Sequence, residues 1–385
     1  MLYYQEEVRY FDVHDFVARL FGNKEHKKRV ASVANAALGT IASGSLIIHR
    51  IGRSLADAMF LEGKHAIKQV DRLLSNDKFD LNKFFKDWVL YLVSNRPELK
   101  VVMDWTDYDN DNHTTLQLSL VTTHGRTTPL LWKTVDKDDL KFKKNGYEKE
   151  ILANLHAIIA PNIKVTILAD RGFGSIENFS YMKEELNFDY IVRIRSDIYV
   201  EYDKEKKLSG EWVPTNKTIK TMRKAKITNE SYEVETVVCF QDHGMKAAWC
   251  IAASEPTLSG SSIIQWYSKR WGCEPQFRDT KDLHFGMGLS STRIKSAKRR
   301  DKLLFINAIA TVFLTVLGAA GEQLGYDKGL KANTVKHRTL SLFRQGCIYF
   351  NRLSRWPTKE MQKLMETFTK LLTEHENMAR IIQCI

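Results

Sequence analysis

The chain has 385 residues, with 58 Lys and Arg against 46 Asp and Glu and a formal charge of +12. That length predicts two to three domains with ample core, and the basic excess points to a polyanionic partner held by salt-sensitive contacts. The five cysteines (Cys239, Cys250, Cys273, Cys347 and Cys384) show no Cys-x-x-Cys spacing, which argues against a zinc site or disulfide frame and for thiols in a reducing compartment.

The start, Met-Leu-Tyr-Tyr-Gln-Glu-Glu, lacks the basic flank and apolar run of a signal peptide. Residues 1–95 read as helical, with apolar residues at three-to-four spacing over Val13–Phe21, Ala31–Leu38, Ile48–Phe60, His65–Leu74 and Leu81–Val93. Lys64, Lys68 and Arg72 repeat along one side of the fourth segment, opposite Ile67, Val70 and Leu73. A DNA-facing helix and an ordinary amphipathic surface helix share that pattern. The clusters Lys24–Arg29, Lys217–Lys226 and Lys295–Lys302 are expected to line a polyanion or to form solvated surface.

From 97 to 200 the order is strand, strand, strand, helix, strand, helix, strand. The strands are Val101–Asp104, Thr115–Thr122, Thr128–Thr134, Val165–Asp170 and Tyr190–Arg195; the helices are Glu148–Ile159 and Ser175–Glu185. Two apolar runs, Leu99–Asp104 and Val165–Asp170, read as buried strands that each end in an aspartate. A carboxylate there projects into the crevice where α/β sheets hold ligands. The segment after Asp170, Arg-Gly-Phe-Gly-Ser175, permits a sharp turn with Ser175 capping the next helix. Residues 196–255 carry β signals such as Tyr232–Phe240 and read as a β insertion.

The stretch Ile263–Lys281 places Tyr267, Arg270, Glu274 and Lys281 at offsets of 3, 4 and 7. At about 100° per residue all four share one helix face. That spacing ordinarily carries apolar residues, yet here it holds a phenol, a guanidinium, a carboxylate and an ammonium. A solvated face with ion pairs gives the same pattern. Pro275 removes one helical N–H and disfavours α geometry at Glu274, so the helix is expected to kink or restart there. Leu303–Gly321, after Lys298-Arg-Arg-Asp-Lys302, is long and apolar enough to span a membrane. Asn307, Thr311 and Thr315 recur every four residues and favour a buried core helix. Two further helices are expected, Ser341–Leu353 and Lys359–Leu372.

Asp104, Asp170 and Glu274 together form the donor inventory of a two-metal phosphoryl-transfer site. Asp107, Asp109 and Asp111 lie in a polar turn, Asp279 and Asp282 fall off the Tyr267–Arg270 line, and His113 and His124 read as structural.

The segments Asp104-Trp-Thr-Asp and Ala169-Asp-Arg-Gly-Phe-Gly, with the pattern Tyr267-x-x-Arg270…Glu274…Lys281, resemble the bacterial DDE transposases of the IS-four family, in particular the branch that cuts and pastes through DNA hairpins. Thr122-Thr-His-Gly-Arg126 and Trp249–Pro256 extend the resemblance over most of residues 60–335. It implies an α/β fold: an RNase H-like core (96–195 and 256–330) with the 196–255 β insertion. A helical 1–95 region would bind transposon ends, and a helical 331–385 region would serve dimerisation.

It also implies that Asp104, Asp170 and Glu274 are catalytic and hold Mg²⁺, with Mn²⁺ able to substitute. Tyr267, Arg270 and Lys281, joined by Arg278 and Trp271, would contact DNA. Trp249 would stack on a flipped base; the residues alone also fit a core aromatic. The expected partners are terminal inverted repeats, target DNA and a second protomer on paired ends, in the bacterial cytoplasm at the nucleoid and without a membrane. Two rivals stay open: an RNase H-like nuclease that cuts without rejoining, and a catalytically silent DNA-binding relative.

Overall fold

The computed structural model describes residues 2–22, 25–374 and 381. Lys24 and Cys384 lie outside them. The N-terminal region is helical, as its periodicity predicts: α1 (Leu2–Phe21), α2 (Lys27–Ser43), α3 (Ile48–Met59), α4 (Gly63–Ser75) and α5 (Leu81–Val93). Each apolar stripe turns inward. Phe21, Phe79 and Phe84 form a cluster of tilted and edge-to-face rings with Phe305, with ring centroids 4.9–6.1 Å apart.

The rest is built on one sheet. Its strands are β1 (Glu98–Tyr108), β2 (His113–Leu120), β3 (Thr128–Asp136), β4 (Lys164–Ala169), β5 (Asp189–Ile194), β6 (Tyr199–Tyr202), β7 (Glu205–Leu208), β8 (Lys220–Ile227), β9 (Tyr232–Phe240) and β10 (Trp249–Ala253). Their spatial order is β3-β2-β1-β4-β5-β10-β9-β8-β6-β7. β1, β4 and β5 run parallel, and the rest pair antiparallel. The segment expected as an insertion extends this same sheet, since β10 bonds directly to β5. α6 (Lys144–Ile158) and α7 (Ile176–Ser180) link the parallel strands, and a π-helical turn at Tyr181–Glu185 continues α7. The architecture is mixed α/β, a ten-stranded sheet flanked by helices, consistent with an RNase H-like core.

The sheet has two buried faces, and strand alternation divides them. Val101, Met103, Ile167 and Ala169 join the large core, while Val102, Leu168, Ile191 and Ile251 pack with Ile263 and Tyr267 of α8 (Gly260–Lys269). α9 (Cys273–Lys281) follows α8 after one 3₁₀ turn. α10 (Ala297–Gln323) is long and apolar enough to cross a membrane, but nearly all of that stretch is buried within the protein. It packs on α2, β3, α11 (Leu342–Arg352) and α12 (Thr358–Thr373). α10 and α11 cross backbone to backbone: a Cβ at Gly346 would collide with the Leu314 carbonyl.

Two cations of the basic run at the start of α10 face inward, while Lys295 and Lys298 stay exposed. Arg300 is fully buried, stacks 4.2 Å from the Tyr108 ring, donates to His113 Nδ1 at 3.0 Å and pairs with Asp111. Lys302 is also buried and donates to the Asn76 carbonyl at 2.9 Å. A buried cation needs local partners, which charge counting along the chain does not reveal.

Candidate active site

β1 and β4 are in parallel register from Glu98↔Lys164 to Met103↔Ala169. Asp104 and Asp170 each follow the last pair, so they stand side by side at the carboxyl end of the β1–β4 ladder. Both continue the alternation of Val102 and Leu168, which places them toward α8. Asp104 does not end its strand as expected. β1 runs four residues further, paired to β2 alone, with Asp104 opposite Gln117. Asp170 does end β4. Its carboxylate accepts the Gly172 N–H at 2.7 Å, and Ser175 caps α7 by accepting from Asn178 N at 3.2 Å. Gly174 runs so close to β5 that a Cβ there would lie 3.0 Å from the Arg193 carbonyl oxygen.

α8 brings the cationic side. Ser259 caps it, accepting from Ser262 N at 3.1 Å. Tyr267 and Arg270 are both buried, and Arg270 Nη1 lies 3.2 Å from Asp104 Oδ2. Trp249 stands edge-on to the Tyr267 ring, with centroids 4.8 Å apart, at the end of β10 that pairs toward Ile194. It is half-buried, so one part of the indole remains accessible.

Of the two expected outcomes, the structure shows the restart, and it has a consequence. Arg270–Gly272 form a 3₁₀ turn, and α9 starts at Cys273 with Pro275 in its first turn. At three residues per turn, residue i+3 eclipses residue i. Cys273 therefore follows Arg270 onto Asp104, and its thiol donates to Asp104 Oδ2 at 3.1 Å. Glu274, one residue on, is exposed on the adjoining face. The structure thus brings Asp104, Asp170, Tyr267 and Arg270 together, with Glu274 exposed at the start of α9. Further along α9, Lys281 Nζ donates to the Asp107 carbonyl at 2.6 Å and sits 4.5 Å over the Tyr108 ring. Trp271 is exposed with Arg270 stacked 5.0 Å from its ring, and Arg278 is exposed.

The other acids named from sequence, and His113, have structural partners, whereas the buried ring nitrogens of His124 lack a hydrogen-bond partner among the described residues. Asp109 pairs with Lys137 at 2.5 Å, Asp279 with Arg126 at 2.7 Å, and Asp282 caps the backbone at His284 and Phe285. His113 accepts from Arg300, and burial lowers the His124 pKa to about 4.

Sequence reading passed over one carboxylate. Glu148, on α6, is fully buried and 3.8 Å from Lys144. Its two oxygens accept from Trp105 Nε1 and from Asn178 Nδ2, each at 3.0 Å. Trp105 adjoins Asp104, and Asn178 also donates to the Phe173 carbonyl in the turn after Asp170. Glu148 therefore braces both strand ends. Its place on an apolar-periodic helix, where a glutamate stands at a core position, was the available signal.

Burial raises the carboxyl pKa of Asp104, and neighbouring Asp170 adds to that, while the Cys273 thiol and Arg270 oppose it. Burial likewise raises Glu148, with Trp105 and Asn178 opposing. Burial brings the Lys281 ammonium down to about 8 against the pull of Asp107 and Asp109. Among the described residues, no three His, Cys, Asp or Glu side chains converge as a ready metal site. The aspartate pair nevertheless fits a hard divalent cation: two oxygen donors side by side, one partly desolvated and each repelling the other.

Residues 105–313, just over half of the chain, match the family model described as the transposase DDE domain. The match begins one residue after Asp104 and ends within α10; it includes Asp170, Trp249, Tyr267, Arg270, Glu274 and Lys281. No curated protein matches the chain.

Proposed function

This chain belongs to the transposase DDE-domain family, and we propose that it cuts DNA at the ends of its own element and joins them to a target, as a member of the IS-four family's hairpin-forming branch. The observation that carries this reading is the side-by-side placement of Asp104 and Asp170 beneath Arg270, at the carboxyl end of β1 and β4.

Asp104 and Asp170 would hold Mg²⁺, with Glu274 as a third donor; Mn²⁺ would substitute. The cation supplies Lewis-acid activation of the attacking water or 3′-hydroxyl and charge relief on the phosphodiester. Arg270 then releases Asp104 and turns to a non-bridging phosphate oxygen, a charge-assisted contact of the same geometry. Tyr267 props that guanidinium: the Arg270 carbon lies 5.8 Å from its ring. Lys281, Arg278 and Trp271 lie along α9 and its entry, where they would track the backbone without reading sequence. Trp249 offers an aromatic edge beside Tyr267 for the base that a tight hairpin leaves unstacked.

The helical 1–95 region would bind transposon ends, and 331–385 would serve dimer contacts on paired ends. The burial of α10 within the protein supports reading it as a core helix and not a membrane span; the proposed place of action is the cytoplasm, at the nucleoid. A nuclease that cuts without rejoining ends is the second reading, since the same carboxylates and metal would serve cleavage alone.

The test uses duplexes ending in the element's terminal repeat, nicked at its boundary, with purified protein and Mg²⁺ on a denaturing gel. A metal-dependent strand of doubled length, lost in Asp170→Ala, supports hairpin transposition. Cleavage without that product leaves a nuclease or blunt-cutting transposase. Binding without cleavage overturns the enzyme.

A further inference from the structure

The loop between β3 and α6 carries an apolar side chain that the protein itself does not use. Phe142 is 96% exposed, the most exposed large hydrophobic residue among those described. Its φ is +66°, in the left-handed region that bulky side chains avoid. No turn glycine stands there to take that conformation, and no core contact compensates for it. A residue in a sparsely populated conformation that leaves its ring at the surface is a candidate contact for a ligand, and its surroundings decide the matter.

The loop's position says which partner. β3 is antiparallel to β2, and β2 to β1, so β3 runs parallel to β1. His113 pairs with Tyr108 on one side and Asp136 on the other, so β3 leaves the sheet at the same end as Asp104 and Asp170. Lys137 ties the start of the loop to that end, at 2.5 Å from Asp109 and 3.3 Å from Asp107. At the far side, Lys144 lies 5.4 Å over the Phe173 ring, beside the Gly172 turn that holds Asp170. Between them the sequence is Lys141-Phe142-Lys143-Lys144, one aromatic ring among three cations. Lys141 sits 5.5 Å from the ring and Lys143 is 3.6 Å from Asp139, both at the surface. An aromatic face flanked by ammonium groups is the composition that binds unpaired nucleic acid: the ring stacks on a base and the cations take the phosphates on either side.

We propose that Phe142 is a stacking platform for an unpaired nucleobase beside the Asp170 turn, with Lys141, Lys143 and Lys144 holding the flanking phosphates. This rests on the DNA-cutting reading above. The base comes either from the element's end or from the opened target, and the two sources separate by experiment.

The full-length protein, with Mg²⁺ replaced by Ca²⁺ to halt cleavage, is titrated with two probes, each carrying one 2-aminopurine. One is the terminal-repeat duplex nicked at its boundary, and the other is an unrelated duplex with a single-nucleotide gap. Phe142→Ala is expected to weaken one probe by about tenfold and abolish its fluorescence quenching. Phe142→Trp restores both signals, and thermal stability stays at the wild-type value because the ring packs on nothing. The probe affected identifies the source. Wild-type affinity and quenching in Phe142→Ala on both probes overturns the proposal, as does a loss that merely follows a lower melting temperature. Metal-dependent cleavage measured alongside separates the two readings. If the wild type cleaves and Phe142→Ala is unchanged, the platform alone is refuted; if the wild type binds neither probe, both readings fall.

Discussion

Glu148 offers the sharpest test of how the strand ends are held. It is fully buried and accepts one hydrogen bond from the Trp105 indole and one from the Asn178 amide, each at 3.0 Å. Glu148→Gln keeps the shape but turns one acceptor into a donor, so either Trp105 or Asn178 faces an N–H. An unsatisfied buried donor costs about 1–3 kcal/mol, and hydrogen bonds to a charged group contribute about 1.5–3 kcal/mol each. Asn178 retains its second bond, to the Phe173 carbonyl at 3.2 Å, which caps the loss on that side. The net expectation is a destabilisation of about 2–3 kcal/mol in urea unfolding at pH 7.

Trp105→Phe removes the indole donor. In a double-mutant cycle with Glu148→Gln, the two changes should couple by about 1–2 kcal/mol. Strand cleavage should fall further than stability explains, because Trp105 adjoins Asp104 and Asn178 braces the turn after Asp170. A Glu148→Gln protein within about 0.5 kcal/mol of the wild type, with additive Trp105→Phe, would refute the brace.

Burial lowers the His124 pKa from 6.5 to about 4; the unfolded state therefore binds more protons between those values, and stability falls as pH drops through that window. The loss is at most about 3 kcal/mol, and His124→Asn should flatten the slope of stability against pH. Lys281 titrates near 8 in the folded protein, so its grip on a phosphate should weaken between pH 7 and 9, while Lys281→Arg holds affinity to higher pH. Folded stability contributed by Lys281 moves the opposite way, rising over that range as the unfolded chain keeps the extra proton, so weaker binding there is not unfolding. Gly346→Ala should cost more than about 3 kcal/mol in denaturant unfolding, because the new methyl meets the Leu314 carbonyl on a rigid neighbouring helix.

The fold was legible where periodicity is strong. The five N-terminal helices, the parallel β1, β4 and β5, and the buried α10 all follow from apolar spacing. Asp104 and Asp170 were legible because an acid after a buried run is a local feature, and their parallel register converts two such features into one site. The Cys273 contact was not, because a straight-helix projection assumes 100° per residue, whereas the Arg270–Gly272 turn tightens before Pro275 and carries Cys273 onto Asp104. Arg300 and Lys302 misled for a related reason: charge along the chain says nothing of Asp111 or the Asn76 carbonyl that receive them. The 196–255 segment announced its strands but not their attachment, which depends on the long-range pairing of β10 with β5.

Asp104, Asp170 and Glu274 are expected to act together on one divalent-metal site. The most direct measurement is single-turnover cleavage of the nicked terminal-repeat duplex, with Mn²⁺ titrated into wild type, Asp104→Ala, Asp170→Ala and Glu274→Ala, each first shown to bind the duplex. The account predicts metal-dependent cleavage by the wild type and loss of at least about 10³-fold in all three variants with DNA affinity retained. Wild-type cleavage by Glu274→Ala would leave the aspartate pair as the whole metal site, and cleavage by Asp170→Ala would contradict the account outright.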